Sequence, residues 1–275
     1  MPAGAALRTV QLEALGAEEG GVADLPGVQT IGPARSLPQS ASAQAMAALL
    51  TWQTLEDGSK VAALRFQSAG AQGMRLGIVV EQLPAAAQLR FYPPDGAVLH
   101  SVTGGEILAA IARNQQAGDA STAARTYWSP DVGGDTVVLE IELPAGTDPA
   151  ALRIAVPQLS HFRVAPQALA GAVAGAAAGA ASSTAGSSGA APLVPKAGTA
   201  DFCEVDTACN ADYANESNAV ARMLFVDQGT SYLCTGTLLN DTASSGTPYF
   251  LSAQHCIPSQ TVASTLTTYW FFRAA

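Results

Sequence analysis

Residues able to do chemistry are gathered toward one end of this chain. Positions 1 to 202 contain no cysteine, whereas Cys203, Cys209, Cys234 and Cys256 follow, with His255 directly beside the last of them. An even number of thiols in a short acidic segment reads as disulfides formed in an oxidising compartment, with zinc ligation as the competing use. None of the spacings between the four cysteines is a CxxC, and His255 is the segment's sole histidine, so disulfides are preferred over a metal site. The other histidines, His100 and His161, are isolated, without an acidic or cysteine cluster around them. The Gly104-Gly105 and Gly133-Gly134 pairs lack the GxxxxGK or GxGxxG spacing of a phosphate loop. No metal and no cofactor is expected.

Short strands must hold these side chains. The apolar run Ala219 to Val226 and the run from Tyr232 (YLCTGTLLN) are separated by Asp227-Gln228-Gly229-Thr230, as in a β-hairpin. Asp241 to Pro248 is a polar turn into another strand at Tyr249, and His255 falls just beyond that strand's end. Upstream, alternation predicts strands at Leu50–Leu55, Val61–Gln67, Met74–Val80, Gln88–Tyr92, Val98–Ser101, Arg125–Trp128, Thr136–Leu143 and Leu152–Leu159, with a helix over Gly105–Gln116. Glu56-Asp57-Gly58-Ser59 and Pro93-Pro94-Asp95-Gly96 have turn chemistry. In the stretch Thr126 to Pro144, Tyr127 and Trp128 read as core aromatics, Asp131 to Asp135 as a turn, and Glu140 and Glu142 as solvent-facing.

The predicted chain is mainly β, in four parts: a loosely ordered lead-in over 1–45 with one early strand at most, a β-sandwich-like domain over 46–164, a linker over 165–200, and a cysteine-bearing segment over 201–275. The linker, AGAVAGAAAGAASSTAGSSGAAP, has side chains too small to bury useful apolar area. Charged residues make up 13% of the chain and the net charge is −9, so no basic surface is available for nucleic acid or an anionic membrane. No stretch of about 20 strongly apolar residues appears, and the opening MPAGAALRTVQLEALGAEEGG lacks the basic start and apolar core of a secretory signal.

Cys234-Thr235-Gly236 followed by Ser252-Ala253-Gln254-His255-Cys256 resembles the chymotrypsin-like serine proteases, whose catalytic histidine lies in a (T/S)AxHC motif and whose adjacent cysteine bridges back to a CxG strand. More narrowly, Cys203 and Cys209, Ala219-Val220-Ala221, Cys234 to Asn240, Phe250 to Cys256 and Tyr269-Trp270 stand in the order found in the bacterial lysyl endopeptidase group. Ser252 replaces the commoner threonine and Gln254 occupies a variable position. The resemblance implies an incomplete first β-barrel over 201–275, a Cys234–Cys256 bridge, and His255 as catalytic histidine of a secreted endopeptidase acting on proteins or peptides after lysine.

In that family the triad runs His, Asp, Ser, yet no aspartate and no GDSGG-like motif follows His255 here. Gly118-Asp119-Ala120-Ser121 precedes the histidine and lacks the following glycines. The chain is therefore expected to be an inactive precursor fragment, in which the partners of Cys203 and Cys209 lie downstream. Lys196-Ala197, at the linker's end, is the expected processing bond. The alternatives are a non-catalytic extracellular β-sandwich for binding or targeting with a degenerate protease-like tail, or a propeptide that binds the mature domain; contact between the N-terminal domain and the protease domain is expected.

Overall fold

The computed structural model describes residues 7–16, 28–96, 100–166 and 210–271. The linker from 167 onward, the processing pair Lys196 and Ala197, and the thiols Cys203 and Cys209 lie outside the described residues.

The described chain is mainly β. Its strands are β1 (Arg8–Leu12), β2 (Gln29–Gly32), β3 (Ala34–Ser36), β4 (Gln53–Thr54), β5 (Lys60–Ser68), β6 (Gly73–Gln82), β7 (Gln88–Tyr92), β8 (His100–Thr103), β9 (Thr126–Trp128), β10 (Thr136–Leu143), β11 (Arg153–Phe162), β12 (Val220–Asp227), β13 (Thr230–Leu239), β14 (Tyr249–Leu251) and β15 (Thr267–Trp270). The helices are α1 (Ala43–Leu49), α2 (Gly104–Gln116), and the single turns α3 (Ala214–Ser217) and α4 (Gln260–Ala263).

Two sheets build the N-terminal sandwich. One runs β1-β5-β10-β7-β8, with β4 also on β5; the other runs β3-β11-β6-β9. Alternation along β5 and β10 sends Leu64, Phe66, Val137, Leu139, Ile141 and Leu143 inward, where they meet Leu76, Ile78, Val156 and Leu159 of the facing sheet in one cluster. Each such side chain is 0% exposed, and burial of one contributes about 1.5–3 kcal/mol. Helix α2 starts at a capping box: Thr103 Oγ1 accepts from the Glu106 amide (3.2 Å), and the Glu106 carboxylate accepts from the Thr103 amide (2.8 Å).

Three readings of the sequence are corrected. The lead-in contributes β1, β2, β3 and α1, because its short strands are recruited by pairing to β5, β13 and β11. The strand expected at Leu50–Leu55 shrinks to β4, since Ser42 caps the Ala-rich run before it (Oγ accepts from the Ala45 amide, 3.1 Å) and that run turns helical. Glu140 does not face solvent: it is 8% exposed, bound by Arg90 Nη1 and Tyr92 Oη at 2.9 Å each, while Glu142 holds Arg90 Nη2 at 2.7 Å.

The third sheet, β14-β13-β12-β15, is open, and β2 adds to the same strand, β13, that β14 pairs with further along. The segment Gln29 to Ser36 therefore changes sheets at Pro33: β3 lies on β11 of the sandwich and β2 on β13.

Candidate functional site

His255 sits in a turn just past β14 and is exposed. Its backbone is pinned on one side by the Ala253 carbonyl, which accepts from the amides of Cys256 (3.0 Å) and Ile257 (3.2 Å). On the other side Cys256 is bonded to Cys234 in the middle of β13, with 6.3 Å between their Cα atoms. Ser252 Oγ donates to the Thr235 carbonyl at 3.1 Å, a second tie from the histidine loop back to β13. An exposed imidazole on a loop anchored this way can exchange protons with a group outside the loop while its position stays fixed.

Local sequence explains the anchoring. Gln228 and Gly229, both at positive φ (47° and 84°), form a two-residue hairpin turn closed by the Asp227–Thr230 pair, so β12 and β13 run in register from Val220–Thr237 to that turn. Met223 and Phe225 on one face of β12 pack with Cys234, Cys256 and Val262 around the disulfide, so the bridge lies in an apolar bed. Phe250 and Trp270 meet edge-to-face with ring centroids 5.9 Å apart, linking the two outer strands of the sheet. Beside the loop, Met223, Phe250, Ser252, Gln254, Ile257 and Leu266 line part of an open cleft of about 470 Å³.

Cys234, His255 and Cys256 place their potential ligand atoms within 4.8 Å of one another, the one such triple among the described residues. Both sulfurs are joined to each other, which leaves His255 as a single nitrogen donor. In the Gly118-Asp119-Ala120-Ser121 stretch the Asp119 carboxylate accepts from the Ser121 amide (2.8 Å) and from Thr261 Oγ1 of α4 (2.6 Å). His161 is buried on β11, its Nδ1 2.8 Å from Ser68 Oγ.

Sequence reasoning missed a set of residues that join the two regions. Val28 is 4% exposed within the disulfide cluster, and Ile31 is 2% exposed in a second cluster with Phe162, Leu224 and Leu233. Ser160 Oγ and Ser231 Oγ, both buried, lie 2.8 Å apart. A signal existed in the unbroken run Met223-Leu224-Phe225-Val226, because a strand with one solvated face alternates and a strand covered on both faces does not.

A family model described as the lysyl endopeptidase N-terminal domain matches residues 3–163, and one described as the lysyl endopeptidase C-terminal domain matches residues 197–275. A protein named lysyl endopeptidase from Pseudomonas aeruginosa is 35% identical over 236 residues, covering 81% of this chain and 43% of that protein. The chain thus spans less than half the length of this relative. No solved structure matches the chain.

Proposed function

Because the chain belongs to the lysyl endopeptidase family, we propose that it forms part of the precursor of a secreted serine endopeptidase in which His255 is the general base. The supporting observation is the exposed imidazole on a loop tied to β13 by the Cys234–Cys256 bridge. In this reading His255 takes the proton of an attacking serine hydroxyl and returns it to the leaving amine, and a carboxylate on its other nitrogen fixes the tautomer. These 275 residues place no aspartate or GDSGG-like serine after His255, so the chain alone is expected not to hydrolyse peptides. Protein or peptide substrates cut after lysine follow from the family.

Lys196-Ala197 is the bond proposed for processing. It is one of only two lysines, and the C-terminal family match begins at Ala197. Cys203 and Cys209 are proposed to pair with cysteines outside this sequence. The domains are proposed to divide at the linker, with the lead-in strands β1 and β3 joining the sandwich read over 46–164 and β2 reaching across to the segment over 201–275. A second reading is favoured by that crossing strand: the N-terminal sandwich acts as a propeptide that contacts the protease region.

Reading the coding DNA on either side of this sequence tests the catalytic proposal. An in-frame aspartate-bearing segment, further cysteines and a GDSGG-like motif are expected; a stop codon directly after Ala275 would leave the binding or propeptide reading in its place. In an active form, His255→Ala should lower kcat by about four orders of magnitude or more without moving the melting temperature, because the ring is exposed. The new N-terminus of a secreted form, read by mass spectrometry, should be Ala197.

A further inference from the structure

Three contacts meet where the N-terminal region crosses onto the third sheet. Strand β2 adds to β13 through the pairs Ser231–Gly32, Tyr232–Thr30 and Leu233–Gln29. Two consecutive residues of β13 face Thr30 and Gly32, so Ile31 is the extra residue of a bulge and turns into the cluster of Phe162, Leu224 and Leu233. Val28 enters the opposite cluster, against Met223, Phe225 and the two bridged cysteines. The arm therefore supplies one apolar side chain to each face of the hairpin sheet. The hairpin tip is seated as well: a Cβ on Gly229 would come within 2.6 Å of Gln158 Oε1 and 2.9 Å of the Ala34 Cβ.

A second attachment lies past the histidine. Asn114 Nδ2, on α2, donates to Ser264 Oγ at 3.1 Å, and Thr261 Oγ1 donates to the Asp119 carboxylate at 2.6 Å. The N-terminal region thus holds the chain before His255, at β13, and after it, at α4, while His255 itself stays exposed.

We infer that Val28–Gly32 is a docking arm that keeps the N-terminal sandwich bound to the protease region after the connecting chain is cut, completing the apolar core under the Cys234–Cys256 disulfide and leaving His255 open. The role this gives the sandwich, a retained brace and not a plug, rests on the proteolytic reading above; the docking does not. Strand addition supplies main-chain hydrogen bonds, and the two buried side chains supply specificity.

The test uses the whole chain with a recognition sequence for an endopeptidase of unrelated specificity inserted at Gly186, so that it runs whether or not Lys196 is ever processed. After cleavage, the two pieces should co-elute in size exclusion and separate only in denaturant; two native peaks would overturn the proposal. Val28→Asp and Ile31→Asp, each tested singly, should raise the dissociation constant of the cut pair at least tenfold. Gly229→Ala should weaken it as well, Gly246→Ala, at positive φ (74°) with nothing within 4 Å, should not, and equal effects of the two would overturn the seating of the hairpin tip. Diethyl pyrocarbonate should modify His255 at the same rate in cut and uncut chains; protection of His255 in the uncut chain would show a plug and overturn the brace.

Discussion

Among the three histidines, burial sorts the roles. His161 is 3% exposed, and its Nδ1 lies 2.8 Å from Ser68 Oγ, which also accepts from Arg35 Nη1 at 2.8 Å. Burial, with Arg35 and Arg163 adding to it, pushes the His161 pKa down from 6.5 to about 4. A histidine whose folded pKa is depressed favours folding while neutral. Its contribution is full above pH 6.5 and is lost as pH falls from there toward about 4. Thermal unfolding of the sandwich should therefore lose on the order of 3 kcal/mol of stability across that window. His161→Gln, which keeps a neutral polar group there, should flatten the dependence. An unchanged pH slope in this variant would mean that other groups carry it.

At the scale of elements, the chain's motif residues turn out to be packing requirements. A Cβ on Gly236 would press into the Phe250 ring and come within 2.9 Å of Met223 Sδ. Glycine in Cys234-Thr235-Gly236 thus lets β14 lie flat on β13 and deliver the histidine loop. Gly236→Ala should destabilise the C-terminal sheet by about 1–3 kcal/mol through overpacking, and Phe250→Leu in the same chain should recover part of the loss; additive losses in chemical denaturation would refute the ring contact as the cause. Strands such as β5, β6, β7 and β10 and helix α2 were legible because their periodicity and caps are local. β2 and β3 were not, because three or four residues beside Pro33 carry no period and gain their conformation from partners more than a hundred positions away. Glu140 was misread for a related reason: its neighbour Arg90 is a cross-strand partner, which becomes visible only once β7 and β10 are in register.

For the whole molecule, the site was more legible than the way it is supported. Cys234, Gly236, Ser252, His255 and Cys256 stand out by order and spacing, but the sandwich's hold on both sides of the loop is a property of the assembled sheets. This division has a measurable consequence. The sandwich core contains no cysteine, since the first in the chain is Cys203, whereas the C-terminal sheet depends on a bridge with a sequence separation of 22. Closing a loop of that size restricts the unfolded chain by about 3 kcal/mol. Under dithiothreitol, amide hydrogen exchange in β12 and β13 should accelerate while β5 and β10 keep their protection. If all four strands lose protection together, the two cores unfold as one unit and the arm does more than dock: it makes the sandwich's stability depend on the disulfide beneath His255.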